Sequence, residues 1–321
     1  MRSLFRTVQK IGAAASSVAL AALVGCAGPT GDVSTEDIGV GGGIDPIVFV
    51  PPCPPPGMDY AAVSTAFNPL IQMFLDRGYP AAYLNNWVPN VGLPVCYGTY
   101  DLAAGLSDYV DQVLAATNRP RVDIIGASGG PLTARLYISA MGGNKYVRDF
   151  VSVAGPNHGT EFGINGGPLQ DAFGAPSYEQ LKETSPPYAC EGETYFGQSD
   201  DVQFALNGCL TPTGRTVNRD ETPNGGVDYL SIRNTLDDQI FPNESACLNQ
   251  KFQNDCSDSK VNVAITAPAG PCPWPEVGGL CPAHVNTLFA PETEELIYDF
   301  VAHPDDGNDS DDLSGNDDDD D

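Results

Sequence analysis

Six short segments with the character of buried strands, separated by longer amphipathic or polar stretches, constrain the fold of this chain more than any other feature of its sequence. Several of these segments are continuously apolar and do not alternate with polar residues. Strands of this kind are typical of a parallel sheet that is covered on both faces. The predicted strands are Pro46–Val50, Ala82–Asn86, Val122–Ile125, Phe150–Ala154, Val227–Ile232 and Val261–Thr266.

Amphipathic helices are predicted between these strands. The segment Asp101–Asn118 places its leucines and valines on one helical stripe, and Pro291–Ala302 begins with proline and acidic residues, as helices commonly do. The order of strands and helices predicts an α/β fold, with a doubly wound, mostly parallel sheet of about six strands and helices on both faces. A hydrophobic content of 41% is enough for one sizeable core.

A long segment between the fourth and fifth predicted strands, residues 159–226, shows few strand or helix signals. A stretch of that length without secondary structure is uncommon inside a domain and is usually functional. It follows a strand whose carboxyl end borders the ligand site in an open α/β sheet. We therefore predict that residues 159–226 form a lid or pocket wall, inserted into a domain that spans residues 45–304.

The first 25 residues have the organisation of an export signal. A basic start precedes the apolar run Ile11–Val24, which has the length of a signal peptide and is too short for a comfortable membrane span. The run leads into L-V-G-C, which ends at Cys26 and resembles the lipobox of bacterial lipoproteins. The resemblance implies cleavage before Cys26 and lipidation of this residue, and Ala27 after it favours the outer membrane. An ordinary secretory signal with an incidental cysteine is the alternative.

The segments on either side of the domain carry no pattern that could bury apolar surface. Residues 26–44 are rich in glycine and small polar residues and are predicted to form a flexible tether. Residues 305–321 contain ten aspartates and no basic residue, which predicts a disordered, solvated tail. Calcium binding by this tail is the alternative, but its aspartates do not follow the register of an EF-hand loop.

The charge of the chain argues against a nucleic-acid partner. There are 15 basic and 42 acidic residues, and the formal net charge is −27. Proteins that bind nucleic acids neutralise phosphates with lysine and arginine, which are scarce here. The same imbalance disfavours a purely electrostatic hold on anionic lipid, so the predicted membrane contact is through lipidated Cys26. The oligomeric state stays open.

The cysteine count supports export. Nine cysteines are present, and without Cys26 an even set of eight remains, which is typical of disulfides in an exported protein. None of them forms a C-x₂-C pair, so zinc is disfavoured, and no metal or cofactor is predicted. Our hypothesis among the many possible connectivities is sequential pairing, since each bridge then closes a short surface segment: Cys53–Cys96, Cys190–Cys209, Cys247–Cys256 and Cys272–Cys281.

A strand, a tight turn and a helix around Ser128 carry the main chemical signal. The sequence VDIIGASGGP places the pattern G-x-S-x-G directly after the third predicted strand and before a helix that starts near Pro131. In a nucleophile elbow, small neighbours leave the serine hydroxyl free above the sheet. Ser128 is therefore the candidate nucleophile, and the N–H of Gly129 is a candidate oxyanion donor.

A base and an acid can be chosen from chain order. His303 borders the acidic tail and is predicted to be solvated, and His158 precedes any plausible acid. His284 lies after the last predicted strand and before the last helix, where the order Ser–Asp–His places its base. Asp238 begins the string D-x-I-F-P, which resembles the D-x-[IV]-V-P turn that carries the acid in many enzymes with the chain order Ser–Asp–His. It is the preferred acid, and Asp237 is its rival.

The second oxyanion donor is predicted in the loop after the first strand. Residues 51–56 read P-P-C-P-P-P. Proline has no N–H, so Cys53 is the one possible backbone donor among these six residues. We therefore predict that the N–H groups of Cys53 and Gly129 form the oxyanion hole.

Taken in order, these segments resemble the small bacterial class 2 lipases and esterases of the α/β-hydrolase superfamily. The resemblance covers about residues 45–304 and is carried by PIVFV with its loop, VDIIGASGG, FVSVAGPNHGT, DETPNGGVDYLSIRNTLDDQIFP and AHVNTLFAPETEELIYDFV. It implies hydrolysis of carboxylic esters or lipids by Ser128, Asp238 and His284 without a cofactor. An acyltransferase or a polyester depolymerase would use the same residues. A non-catalytic, lipid-anchored binding module is the alternative outside enzymes.

Overall fold

The computed structural model of the protein describes residues 44–54, 58–90, 100–160, 206–211, 213–218, 220–223, 225–274 and 279–302. The predicted signal peptide, Cys26, the tether, most of the insertion, His303 and the acidic tail lie outside these residues. No helix among the described residues combines the length and the apolar character that a membrane span requires.

A six-stranded parallel sheet organises the described residues. The strands are β1 (Ile47–Val50), β2 (Leu84–Asn86), β3 (Val122–Ala127), β4 (Val147–Val153), β5 (Gly208–Thr211), β6 (Gly214–Asn218), β7 (Asp228–Asn234), β8 (Asn262–Ile265), β9 (Gly270–Pro271) and β10 (Leu280–Cys281). In the six-stranded sheet they follow one another in the order β2-β1-β3-β4-β7-β8, and every neighbouring pair is parallel. All six predicted strands are therefore present, and the prediction of an α/β fold with a mostly parallel sheet of about six strands is confirmed.

Helices cover both faces of the sheet, as the sequence predicts. The helices are α1 (Tyr60–Ser64), α2 (Asn68–Asp76), α3 (Tyr100–Thr117), α4 (Gly130–Ala140), α5 (Ala283–Phe289) and α6 (Pro291–Val301). Helices α3 and α4 pack in a core cluster on one face, and α1, α2, α5 and α6 contribute to the cluster on the other. The predicted helices Asp101–Asn118 and Pro291–Ala302 agree with α3 and α6 to within one residue at each end.

Strand β1 shows why the apolar runs are continuous. Ile47 and Phe49 pack in the cluster on one face, and Val48 and Val50 pack in the cluster on the other. None of the four side chains is more than 1% exposed. Because successive strand residues point to opposite faces, a sheet buried on both sides requires apolar residues at every position.

Two short hairpins are present that the sequence does not predict. Strands β5 and β6 pair antiparallel inside residues 159–226, so this segment has more regular structure than its sequence indicates. Strands β9 and β10 pair antiparallel just before α5. The role of residues 159–226 as a lid or pocket wall stays a prediction.

Two of the predicted disulfides are confirmed. Cys247 is bonded to Cys256, and Cys272 is bonded to Cys281 across the β9–β10 hairpin. Cys53 also takes part in a disulfide. The predicted pairs Cys53–Cys96 and Cys190–Cys209 involve side chains outside the described part of the chain.

Candidate active site

Ser128 lies in a tight turn between β3 and α4. Its backbone φ is +53°, in the left-handed region that costs a non-glycine residue about 1–3 kcal/mol. The N–H of Ser128 donates a hydrogen bond to the carbonyl of Val153 at the end of β4 (2.9 Å), which holds the strained turn in place. An outlier of this kind at the predicted serine is the geometry that a nucleophile elbow requires.

The glycines on either side of Ser128 are required by packing. A Cβ on Gly130 would lie 2.3 Å from the carbonyl oxygen of Val50, and a Cβ on Gly126 would lie 2.8 Å from the nitrogen of Pro131. Both distances are shorter than real Cβ contacts allow. Helix α4 can therefore start against the end of β1 only if these positions carry no side chain, which explains the G-x-S-x-G pattern physically.

His284 joins Ser128 to a carboxylate. Its Nε2 atom lies 2.9 Å from Ser128 Oγ, and its Nδ1 atom lies 2.9 Å from Asp237 Oδ2 and 3.1 Å from Oδ1. His284 is the second residue of α5, Asp237 follows β7, and both are more than 90% buried. These are the distances of a nucleophile, a base and an acid that orients the base.

The preference for Asp238 over Asp237 needs correction. The structure places the Asp237 carboxylate against the imidazole ring, while Asp238 Oδ1 accepts a hydrogen bond from the backbone N–H of His284 (3.0 Å). The reason is local, because Asp237 Oδ1 also accepts the N–H groups of Gln239 and Ile240 at 2.8 Å each. This turn directs the first aspartate toward the ring and the second toward the main chain.

Asp238 serves as a cap for helix α5. The residue at the cap position, Pro282, makes no side-chain hydrogen bond to the first turn. The N–H groups of a first helical turn have no acceptor inside the helix. Asp238, which lies in a different loop, supplies an acceptor for the backbone N–H of His284. Asp237 thus holds the ring of His284, and Asp238 holds its backbone.

The pKa of the His284 imidazole lies above its ordinary value. Burial by itself lowers this pKa, but the charge of Asp237, the hydrogen bond to it and the charge of Asp238 together raise it. The positive form of the ring is therefore stabilised. A base that takes a proton from Ser128 needs this stabilisation at the moment when it becomes an imidazolium.

The predicted oxyanion residues lie next to the serine. Cys53 and Ser128 line one cavity together, and Cys53 and Gly129 line a smaller one beside it. Gly129 stands at the start of α4, where backbone N–H groups lack helical acceptors. The assignment of the Cys53 and Gly129 N–H groups as oxyanion donors stays a prediction.

An apolar cavity of about 220 Å³ opens beside Ser128 and His284. Its walls were not predicted from the sequence, although the spacing of Val285 and Leu288 in helix α5 places these two residues on one face, near His284. Apolar residues that line the cavity include Ala66, Val153, Ala154, Trp274, Val285 and Leu288.

His158 lies in a different polar environment. It is fully buried, its Nδ1 atom lies 3.1 Å from the carbonyl oxygen of Ser245, and its Nε2 atom lies 3.2 Å from Glu221 Oε1. Among the described residues, the histidine ring that contacts Ser128 Oγ is that of His284. Among the described residues, no group of three or more histidine, cysteine or acidic side chains is arranged to bind a metal ion.

Comparison with known proteins gives structural likeness alone. No protein-family model and no curated protein matches the sequence. Lipase B from Aspergillus fumigatus is 15% identical with a TM-score of 0.49, over 84% of this chain and 56% of that chain. The lin2722 gene products of Listeria innocua are 12% identical (TM-score 0.45), over 80% of this chain and 94% of that one. Naproxen esterase from Bacillus subtilis is 13% identical (TM-score 0.39), over 80% and 83%.

Proposed function

We propose that this protein is a serine hydrolase that cleaves carboxylic esters through an acyl-enzyme. The observation that carries the proposal is the continuous contact from Ser128 Oγ through both ring nitrogens of His284 to the carboxylate of Asp237. The strained backbone of Ser128 and the apolar cavity beside it support the same conclusion. The finer assignment to the class 2 lipases and esterases rests on the sequence resemblance.

The reaction begins with proton transfer from Ser128. His284 Nε2 accepts the hydroxyl proton as Oγ attacks the ester carbonyl carbon, and Asp237 stabilises the imidazolium that forms. When the tetrahedral intermediate collapses, the C–O bond to the alcohol breaks and His284 gives the proton to the departing oxygen. A water molecule, deprotonated by the same imidazole, then attacks the acyl-enzyme and releases the carboxylic acid.

Backbone amides complete this mechanism. The N–H groups of Gly129 and Cys53 would donate hydrogen bonds to the oxyanion of each tetrahedral intermediate. In other enzymes the removal of one such donor costs about 2.7–4 kcal/mol of transition-state stabilisation. Proline on both sides of Cys53 restricts the backbone, which would hold its N–H in one orientation.

Export and membrane anchoring are part of the proposal. The bridges Cys247–Cys256 and Cys272–Cys281 favour an oxidising compartment outside the cytosol. The L-V-G-C string that ends at Cys26 supports a lipid anchor, so the natural substrates would be esters or lipids accessible from a membrane surface, with the outer membrane as the proposed location.

Covalent labelling tests the proposed function most directly. A short-chain fluorophosphonate should phosphonylate Ser128 in the folded protein, with release of fluoride, because His284 activates this hydroxyl. Peptide mapping by mass spectrometry should find the adduct on Ser128. Protein that is unfolded by heat before the probe is added should carry no adduct, because unfolding separates Ser128, His284 and Asp237. A folded protein that takes no label would support the non-catalytic binding module. Product analysis with added alcohols or with polyester film separates the acyltransferase and depolymerase alternatives.

Removal of the two disulfides one at a time should separate stability from activity. Both bridges join cysteines nine positions apart, so the entropy of a closed loop predicts a similar loss for each, about 2–3 kcal/mol. Cys272–Cys281 closes the hairpin that leads into His284, whereas Cys247–Cys256 lies elsewhere. We expect similar melting temperatures for the Cys272→Ala/Cys281→Ala and Cys247→Ala/Cys256→Ala variants, and a larger loss of kcat/KM in the first. Equal losses of activity would contradict a special role of the hairpin.

A further inference from the structure

The cavity beside Ser128 suits an uncharged, apolar group. Among its described lining residues there is no aspartate, glutamate, lysine or arginine. Apart from Ser128 and His284, Gln239 offers the one side-chain amide, and Cys53 is bonded in a disulfide. A charged or strongly hydrated substituent would lose its water there without gaining partners. The walls therefore select for hydrocarbon.

The size of the cavity limits what it can hold. Its volume is about 220 Å³. A protein cavity of 150 Å³ holds benzene, which has six carbon atoms, so by proportion this cavity holds about nine non-hydrogen atoms. That corresponds to an aliphatic chain of medium length. A longer chain would extend beyond the walls that the described residues form.

Trp274 is the largest side chain in this wall, and it is firmly held. The residue is 5% exposed, and its indole Nε1–H donates a hydrogen bond to Thr65 Oγ1 (2.9 Å). The Thr65 hydroxyl in turn donates to the carbonyl of Ala62 (2.6 Å). Because the single polar atom of the indole is engaged by Thr65, the ring presents hydrocarbon to the cavity. Trp274 also lies inside the loop that Cys272–Cys281 closes.

We infer that Trp274 sets the length of the acyl chain that this enzyme accepts, and that its substrates are esters of uncharged aliphatic acids of medium length. The inference rests on the proposed function. The acyl group is the part of the substrate that stays bonded to Ser128 Oγ after the alcohol has left. It therefore occupies the cavity that Ser128 and Trp274 line together.

The test compares kcat/KM for p-nitrophenyl esters of acids with two to sixteen carbons. For the natural sequence, kcat/KM should rise as the acyl chain lengthens to about eight carbons. Each methylene that enters an apolar pocket can raise kcat/KM by about 10-fold to 200-fold. The value of kcat/KM should then fall at least tenfold by sixteen carbons. In Trp274→Ala the optimum should move to longer chains, and the ratio of kcat/KM for sixteen over eight carbons should rise at least tenfold.

Two further variants serve as controls. The chain has two tryptophans, and Trp87 is equally buried but packs in the core on the other face of the sheet. Trp274→Phe should raise the sixteen-to-eight ratio in the same direction as Trp274→Ala, whereas Trp87→Phe should leave it unchanged. Thr65→Val removes the acceptor that fixes the indole, so it should weaken the discrimination by a few-fold. If Trp274→Ala does not fold, the paired phenylalanine variants decide.

The outcomes distinguish this inference from the proposed function. A folded Trp274→Ala or Trp274→Phe protein with the natural ratio overturns the role of Trp274. A shift that appears for acetate esters of longer alcohols, with the acyl series unchanged, assigns the cavity to the alcohol and also overturns it. Turnover of short esters and labelling by a short fluorophosphonate, together with a flat chain-length profile, overturns the inference and leaves the hydrolase. Absence of both turnover and label ends the proposed function itself.

Discussion

Ser128→Ala should remove ester hydrolysis almost completely and leave the fold intact. Loss of a serine nucleophile in a comparable triad lowers kcat by roughly 10⁶-fold, and we expect a loss of this order for p-nitrophenyl esters. Within the described part of the chain the Oγ atom makes one hydrogen bond, to His284 Nε2, so its removal should cost only about 0.5–1.5 kcal/mol. The melting temperature should therefore shift by no more than a few degrees.

The strained backbone does not complicate this prediction, because serine and alanine both carry a Cβ at φ +53°. The matched control is Ser259→Ala, which changes an exposed serine before β8, at the edge of the sheet opposite the carboxyl ends. This control should keep full activity. Ester turnover by purified Ser128→Ala that is close to that of the control would remove the proposed mechanism.

Asp237→Asn should lower kcat by about 10⁴-fold, while the same change at the next position should have a small effect. An amide at position 237 no longer favours the tautomer of His284 that accepts a proton at Nε2, and it no longer stabilises the imidazolium. At position 238 an asparagine still provides a side-chain oxygen for the N–H of His284, so the cap of α5 persists. We expect kcat to change less than about tenfold in Asp238→Asn.

The pH profile gives a second readout for the same pair. The base must be neutral, so kcat/KM falls as the pH drops below the pKa of His284, which the nearby carboxylates raise. Asp238→Asn removes one of these charges, so the acid limb of the profile should move to lower pH. The reverse order, with a severe loss in Asp238→Asn and a mild one in Asp237→Asn, would make Asp238 the acid after all.

Much of the fold follows from patterns that are local in the sequence. The central strands β1 and β3 are predictable because every residue in them is buried, so both faces of each strand carry residues that can be packed in a core. The edge strand β2 is only half-buried and carries two asparagines, so its signal in the sequence is weaker. The start of α6 is predictable because Pro291 and the acidic residues after it match the chemistry of a first helical turn. The β9–β10 hairpin has only two residues in each strand and shows no such pattern.

The choice between Asp237 and Asp238 shows where the sequence stops being informative. The two aspartates are adjacent, and both contact His284, one through the ring and one through the backbone. Sequence spacing cannot distinguish them, because either aspartate gives the chain order Ser–Asp–His with nearly the same separations. In the turn, a shift of one residue changes the direction of the side chain completely.

The sequence by itself determined the α/β sheet, the strained turn at Ser128 and the candidate base, because burial on both faces, small residues in a tight turn and chain order each leave a local mark. Only the tertiary structure decided which aspartate faces the imidazole, and that the indole of Trp274 donates a hydrogen bond to Thr65. These contacts join residues far apart in the chain, and their geometry depends on the side-chain directions that packing imposes.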